Sequence, residues 1–398
     1  MRAHLPALSL VLMLAACGPA TKTAEPVDAA ALHEKLLVLD THLDTPANFG
    51  RPGWDIAQRH TMGDDMTQVD LPRMKQGGLD GGFWVIYTAQ GPLTAKGFAD
   101  AKAFALKRSD EIAAIVAKNP DTMALATTAD DAQKIAASGK VIVYQSIENS
   151  YPLGEDLSLL GEFYRRGVRM VGPVHSADNQ FADSTTGKAR WGGLSPLGKQ
   201  WVAEMNRLGM VIDGSHSSDA TLDQMLALSK TPIILSHSGP KAANDHPRNL
   251  DDGRIKAVAA KGGVIQINSI FLAPLNSSPE RDALEARKEK IGTMTPEEQR
   301  KLAADFAALD AKAPYQDASF ENFMASMLHV LKLVGADHVG MGADWDGGGG
   351  VKGMEDVSLL PKITARLLKE GYSETDIAKI MGGNTLRVLR AAEAAKGK

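Results

Sequence analysis

The sequence has a single cysteine among 398 residues, Cys17, so no disulfide can form within the chain. It also lacks any dense run of lysine or arginine, and its formal net charge is -4 at pH 7. The absence of a basic run and the negative net charge argue against nucleic acid as a main partner. Beyond the first residues, no stretch approaches the roughly 20 apolar residues that a membrane-spanning helix needs. The rest of the composition, 44% hydrophobic and 23% charged, is typical of a soluble enzyme with a sizeable core.

The N-terminal residues form a segment of their own. Residues 5–13 are a short apolar stretch that follows Arg2, as is typical of a signal peptide. The letters LAAC at 14–17 resemble a bacterial lipobox, which predicts cleavage of residues 1–16 and a lipid on Cys17. Residues 17–30 would then be a flexible tether, and residues 31–398 the folded domain. The alternative is an ordinary signal peptide in which the cysteine occurs by chance.

This interpretation predicts a location in the bacterial cell envelope. The lipid would anchor the chain to a membrane, and the folded domain would be periplasmic. The sequence leaves open whether the inner or the outer membrane carries the anchor.

Eight short apolar runs predict the strands of the domain. Most are rich in β-branched residues and bounded by Gly, Pro or Asp, as is typical of buried parallel strands. The runs lie at 36–39, 82–87, 141–144, 168–174, 210–212, 232–235, 264–267 and 339–341. Helical stretches separate them, among them 100–117, 196–208 and a helix that starts at Thr295 and Pro296.

Eight alternations of strand and helix predict an α/β fold, a (β/α)8 barrel of the TIM type. In such a barrel the active site lies at the C-terminal ends of the strands. A doubly wound open sheet is the alternative. It is disfavoured because no Gly-x-Gly-x-x-Gly motif follows the first run.

Titratable residues stand at the ends of six of these runs, and we expect them to converge at one mouth of the barrel. They are His42, Asp44, Glu148, His175, His216, His237 and Asp344. Within this group, three histidines and two carboxylates form a ligand mixture suited to zinc: His42, His216, His237, Asp44 and Glu148.

Taken singly, each of these residues has a simpler interpretation. A His-x-Asp pair such as His42 and Asp44 is common at surfaces and in turns. His216 and His237 could each be a buried histidine of the core. Glu148 follows an apolar strand, where an unpaired carboxylate is costly and needs a cation or water. We interpret the other histidines of the domain as structural: His33, His60, His246, His329 and His338.

A resemblance to a known family rests on motifs that occur in order along the domain. They include DTHLD at 40–44, VDLPR at 69–73, GGFW at 81–84, IEN at 147–149 and GLSPLG at 193–198. Further matches are HS at 175–176 with ADS at 182–184, DGSH at 213–216, SHS at 236–238, PRN at 247–249 and GADWDG at 342–347. The chain resembles the membrane (renal-type) dipeptidase family within the amidohydrolase superfamily.

The resemblance implies a hydrolase with two zinc ions, whose ligands follow the family pattern. His42 and Asp44 would bind one zinc, His216 and His237 the other, and Glu148 would bridge them. A water shared by the ions would attack the peptide bond of a dipeptide substrate.

The resemblance also implies roles for three other residues. His175 would contact the carbonyl oxygen of the scissile bond, and Asp344 would carry the proton. Arg248 would pair with the free carboxylate of the substrate.

The sequence leaves several matters open. Many relatives carry an Asn-Phe-Tyr stretch where this chain has NSIF at 268–271, so a substrate contact is absent or replaced. The long stretch 272–337 forms either a lid or surface helices. Opening of β-lactams or lactones is the alternative reaction, and a non-catalytic envelope lipoprotein is the alternative class of protein. The sequence does not determine the oligomeric state, and a homodimer is one of the alternatives.

Overall fold

The computed structural model describes Met1 and residues 27–397. The predicted signal peptide at 1–16, the lipidation of Cys17 and most of the tether at 17–30 fall outside the described residues. The described part contains nine strands: β1 (Leu39–Leu43), β2 (Gly81–Tyr87), β3 (Met123–Leu125), β4 (Val141–Glu148), β5 (Val168–Val171), β6 (Val211–Ile212), β7 (Ile234–Ser238), β8 (Val264–Ile267) and β9 (Val339–Met341).

All the strand pairings within the two sheets are parallel. One sheet has the order β1-β2-β4-β5-β6, with β3 added beside β4, and the other has the order β7-β8-β9. Single parallel bridges join the sheets at both seams, from Leu43 to Trp345 and from Asp213 to Ile234. The predicted α/β class is therefore confirmed, while the hydrogen-bonded strands form two sheets rather than one continuous ring.

Each of the eight predicted runs overlaps an observed strand, but several boundaries are wrong. The first strand begins at Leu39 rather than at residue 36, and it continues through His42 to Leu43. The strands β4 and β7 likewise extend past their apolar runs to include Glu148 and His237. The apolar runs stop at Gln145 and Ser236, whereas backbone pairing with the neighbouring strands continues. The strand β5 ends at Val171, earlier than the predicted run 168–174. It stops shortly before Pro173, which has no backbone N–H to donate.

Fifteen α-helices surround the strands of the described chain. They are α1 (Ala29–His33), α2 (Met62–Asp65), α3 (Leu71–Gln76), α4 (Ala95–Lys118), α5 (Ala129–Ala137), α6 (Ser158–Arg165), α7 (Pro196–Leu208), α8 (Asp219–Leu228), α9 (Asp252–Ala260), α10 (Pro279–Lys288), α11 (Pro296–Asp310), α12 (Phe320–Val334), α13 (Pro361–Lys369), α14 (Glu374–Ala378) and α15 (Asn384–Ala395). None of them is long and apolar enough to cross a membrane.

Local capping chemistry sets the predicted helix starts. Ser195 accepts a hydrogen bond from the backbone of Gly198, and Pro196 occupies the first turn of α7. Thr295 and Glu298 form a reciprocal capping box at the start of α11. Both starts agree with the sequence prediction because the cap residues and their partners are three positions apart in the chain.

An inner core lies below the polar ends of the strands. Side chains from strands of both sheets pack there against α15 in one buried cluster. Its members include Leu39, Phe83, Tyr144, Met170, Val211, Ile234, Val264, Leu386 and Leu389. This apolar layer supports the titratable residues above it, which emerge where the strands end.

The stretch 272–337 is largely helical. Its last helix, α12, buries Met324 and Met327 in the main core, so this part is integral to the domain. Its helices α10 and α11 share a small separate core built around Leu302 and Phe306. Gln299 of α11 connects this subdomain to the chain after β1, since its side-chain oxygen accepts a hydrogen bond from Arg51 at 2.9 Å.

Candidate metal centre

Six strand ends bring together the seven titratable residues predicted from the sequence. His42, Glu148 and His237 belong to β1, β4 and β7, whereas the other four lie in the loops that follow strands. These four are Asp44 after β1, His175 after β5, His216 after β6 and Asp344 after β9. All except His175 are buried.

Glu148 stands at the centre of the cluster. Its Oε1 lies 2.9 Å from His216 Nε2 and 3.4 Å from His237 Nε2. Its Oε2 lies 3.7 Å from His42 Nε2, and His175 Nε2 is 3.9 Å from Oε1. One carboxylate therefore faces histidines from several different strands, a geometry that suits a bridging ligand.

Three groups of side chains offer ligand atoms within 4.8 Å of one another, close enough to hold a metal ion. The groups are His42 with Glu148 and His237, Glu148 with His175 and His216, and His42 with Asp44 and Asp344. The structure thus brings His175 and Asp344 as close to the cluster as the five predicted ligands. The Nε2 atoms of His216 and His237 lie 2.8 Å apart.

This donor set fits a cation. Burial, reinforced by the nearby charge of Arg248, holds the pKa of His216 well below its usual range. Burial likewise lowers the pKa of His237, so both rings are neutral and can present lone pairs. Two imidazole nitrogens and a carboxylate in contact can together bind one cation, and mixed nitrogen and oxygen ligands favour zinc.

The charged groups of the cluster shift one another's pKa values. Burial alone would raise the pKa of Glu148, but His175, His42 and a hydrogen bond from His216 hold it well below its usual range. Burial would lower the pKa of His42, but Glu148 and Asp44 raise it well above its usual range. Burial raises the pKa of Asp344 to about 7.

Two of the site residues adopt left-handed backbone conformations. His216 has φ 64° and Asp344 has φ 66°, values that non-glycine residues rarely adopt. The chain turns sharply at both positions as it leaves a strand. Such conformations concentrate at functional sites, where the surrounding structure maintains them.

Arg248 is buried beside the cluster without a carboxylate partner. Its Nη2 donates to the backbone oxygen of His237 at 3.1 Å, and its Nε has no hydrogen-bond partner. Within residues 27–397, no ion pair to its guanidinium is formed. Burial lowers its pKa, although the carboxylates of Glu148 and Asp344 oppose that shift. His246 lies next to it, where its Nδ1 accepts from the Arg248 backbone at 3.2 Å.

Tyr87 is a site residue that the sequence prediction missed. It ends β2, it is 37% exposed, and its ring meets His175 edge-on with the centroids 4.9 Å apart. Burial and the charge of Glu148 raise its pKa to about 12. The signal was present in the alternation of β2, because Tyr87 shares a face with Phe83, which points into the inner core.

Asp346 faces away from the cluster despite its position two residues after Asp344. Its carboxylate accepts from the Gln68 backbone at 2.7 Å and from Thr45 Oγ1 at 2.9 Å. The four remaining histidines interpreted as structural also bond to protein groups: His33 to Gly77, His60 to Asp65, His329 to Asp252 and His338 to Gly263.

Comparison with known proteins identifies relatives over almost the whole described chain. The sequence model of the membrane dipeptidase family, peptidase family M19, matches residues 27–398. The dipeptidase tcpJ of Claviceps purpurea is 34% identical over 332 residues, which cover 82% of this chain and 69% of that protein. A dipeptidase of Schizosaccharomyces pombe is 29% identical over 371 residues, 89% of this chain and 81% of that protein.

A solved structure supports the same relationship. The probable dipeptidase PvdM of Pseudomonas aeruginosa is 34% identical, with a TM-score of 0.79, and the match covers 92% of this chain and 98% of that one. This chain therefore shares its α/β fold with a relative of substantial sequence identity.

The predicted location is contradicted by these comparisons. The sequence predicted a lipoprotein of the bacterial cell envelope, whereas the dipeptidases of Claviceps purpurea and Schizosaccharomyces pombe are proteins of fungi. The prediction depended on the apolar stretch 5–13 and on a four-letter motif at residues 14–17, and so short a motif occurs easily by chance.

The buried cluster of histidines and carboxylates and the relatives that match most of the chain agree on one chemistry, the metal-dependent hydrolysis of dipeptides. The resemblance inferred from the motifs is therefore confirmed. The chain belongs to the membrane dipeptidase family, peptidase family M19.

Proposed function

We propose that this dipeptidase uses two zinc ions, held on either side of Glu148. The observation that carries the proposal is the position of that carboxylate, with one oxygen toward His216 and His237 and the other toward His42. Two carboxylates in the ligand set would offset part of the charge of two dications.

The ligand assignment follows the strand ends. His42 and Asp44, 3.3 Å apart, would hold one ion, and His216 and His237 the other. Glu148 would reach both. Asp344 Oδ1 lies 4.0 Å from His42 Nε2, so its carboxylate stands beside the proposed ligands.

Bound zinc would polarise the scissile carbonyl and supply a nucleophilic water near neutral pH. Asp344 would accept a proton from that water and return it to the leaving amine. His175 has the most exposed side chain of the cluster, 24% accessible, and its ring packs edge-on against the exposed Tyr87. From there it would donate a hydrogen bond to the carbonyl oxygen as negative charge develops.

Arg248 would select substrates by length. A buried guanidinium without a carboxylate partner is costly, and the free carboxylate of a dipeptide would supply that partner. Because Arg248 Nη2 donates to the backbone oxygen of the proposed ligand His237, this carboxylate would sit about one residue from the scissile bond. Longer peptides would place a neutral amide there instead.

We also propose that residues 31–398 form one catalytic domain in which eight strands close into a (β/α)8 barrel. Two observations support closure: the parallel bridges at both seams, and the inner core shared by strands of both sheets. The backbone hydrogen bond from Asp44 to Trp345, 2.9 Å long, and that from Gly214 to Ile234, 2.7 Å long, lie at these seams.

Metal analysis together with kinetics tests the two-zinc proposal. We expect close to two zinc ions per active chain, and loss of most metal and activity in Glu148→Ala, since one side chain serves both ions. Glu155→Ala is the control, because Glu155 is an exposed carboxylate in the segment that follows β4. One metal ion or none in fully active wild-type protein would refute the proposal.

A further inference from the structure

A serine hydroxyl lies directly behind the candidate metal centre. Ser236 precedes His237 in β7 and is fully buried. Its Oγ lies 2.5 Å from Asp213 Oδ2 and 2.8 Å from His237 Nδ1. The same oxygen is 3.5 Å from His42 Nδ1. One hydroxyl therefore contacts a buried carboxylate and the rear nitrogens of two candidate ligands.

The surroundings of Asp213 fix the direction of these hydrogen bonds. Its Oδ1 accepts from the backbone N–H groups of Ser215 and Ser236, both at 2.9 Å. Its Oδ2 then accepts from the hydroxyl of Ser236. A serine has a single hydroxyl proton, so its oxygen is left to accept a hydrogen bond from His237 Nδ1.

This arrangement determines which nitrogen of His237 carries the proton. With the proton on Nδ1, Nε2 presents a lone pair toward the cluster, 3.4 Å from Glu148 Oε1. The opposite tautomer would direct an N–H group at the metal position and could not coordinate. A ligating histidine commonly depends on such a partner behind it, which fixes both the tautomer and the ring orientation.

We propose that Ser236, oriented by Asp213, is a positioning residue that locks His237 in the metal-binding tautomer. The inference rests on the proposed role of His237 as a metal ligand. It adds a function for two buried residues that do not themselves reach the metal. Asp213 also lies at the seam between the sheets, so the same carboxylate ties β6 to β7.

Two substitutions should change the His237 tautomer in different ways. Ser236→Ala removes the acceptor behind Nδ1, and the His237 tautomers should become mixed. Asp213→Asn keeps the shape and can still accept from both backbone N–H groups, but its amide would donate toward Ser236 Oγ. The hydroxyl proton would then point at His237 Nδ1, and the tautomer should invert. Ser238→Ala is the matched control, because its buried hydroxyl is 3.4 Å from Ser215 Oγ and contacts no histidine.

Nitrogen-15 NMR of histidine-labelled, metal-free full-length protein reports the tautomer directly. We expect the Nδ1–H form of His237 in the wild type and in Ser238→Ala, mixed forms in Ser236→Ala, and the Nε2–H form in Asp213→Asn. Competition with a zinc chelator should show zinc affinity about 10- to 100-fold weaker in Ser236→Ala, and unchanged in Ser238→Ala.

The outcomes separate this inference from the proposed function. A His237→Ala variant that keeps its full zinc content would refute the proposed ligand, and this inference with it. If His237→Ala loses zinc while Ser236→Ala and Asp213→Asn retain wild-type affinity and tautomer, only the positioning role is overturned. Asp213→Asn also guards against a folding artefact, because a merely structural role would not reverse a tautomer.

Discussion

Replacing Arg248 by methionine gives the sharpest test of how this enzyme recognises its substrate. The side chain is only 5% exposed, and it makes one hydrogen bond to protein, to the backbone oxygen of His237. A substrate carboxylate would therefore be its principal partner. Methionine keeps an unbranched apolar side chain in place of the guanidinium and removes the charge.

The expected magnitude follows from the burial of the pair. Truncating one partner of a buried, hydrogen-bonded charge pair costs about 2–5 kcal/mol. Since about 1.4 kcal/mol corresponds to a factor of ten, kcat/KM for a free dipeptide should fall by about 30-fold to several thousand-fold. Most of the change should appear in KM, because the carboxylate is bound in both the ground state and the transition state.

The assay compares each dipeptide with its C-terminal amide. Wild-type protein should strongly prefer the acid, and Arg248→Met should lose that preference. The free energy of unfolding of the variant should not decrease, because an unpaired buried charge has been removed. Arg254→Met is the control: this arginine is ion-paired near the surface with Asp219, Asp223 and Asp251, and its loss should leave the acid-to-amide ratio unchanged.

Two results would refute this reasoning. Equal wild-type rates on the acid and the amide would show that no positively charged side chain recognises the carboxylate. An unchanged acid-to-amide ratio in Arg248→Met would show that another residue does so.

Three further predictions concern the proton carrier, the metal and pH. Asp344→Asn should keep its zinc and bind dipeptides while kcat falls by about 10²–10⁴; loss of zinc would make that residue a ligand. Asp346→Asn weakens a partly buried acceptor for Gln68 and Thr45 and should chiefly lower stability. Removing metal with a chelator should lower Tm, and added zinc should restore it, because a metal bound only to the folded state stabilises that state; an unchanged Tm would contradict this. Burial holds the pKa of His33 below its unfolded value of 6.5, opposed by its hydrogen bond to Gly77, so the folded state keeps it neutral. The free energy of unfolding should therefore fall as pH drops from about 7 to 5, and urea titrations should show a smaller fall in His33→Gln. An equal fall in the wild type and in His33→Gln would show that His33 does not cause this loss of stability.

The sequence by itself determined the local features of this protein. Helix starts such as Ser195-Pro196 and the Thr295–Glu298 box depend on residues three positions apart, so the chain carries all the information they need. The apolar runs located eight of the nine strands because burial on both faces requires continuous hydrophobicity. The ninth, β3, has three residues and an increasingly exposed side, and it left no such pattern.

The tertiary structure decided everything that depends on contacts between distant segments. Strand pairing carries β1 and β4 beyond their apolar runs, so His42 and Glu148 lie within strands rather than after them. The turns that aim His216 and Asp344 use left-handed conformations without the glycine that would have indicated them. Their mutual distances follow from the packing of six strand ends.

The same division holds for the residues behind the site. The sequence predicted which side chains meet in the cluster, because histidines and carboxylates at the ends of buried strands are typical of a metal site. It could not indicate that the Ser236 hydroxyl joins Asp213 to His237, or that no carboxylate within residues 27–397 pairs with Arg248. Hydrogen bonds to a buried group depend on which side chains meet in three dimensions, and only the folded chain brings β6, β7 and the loop after β7 into contact.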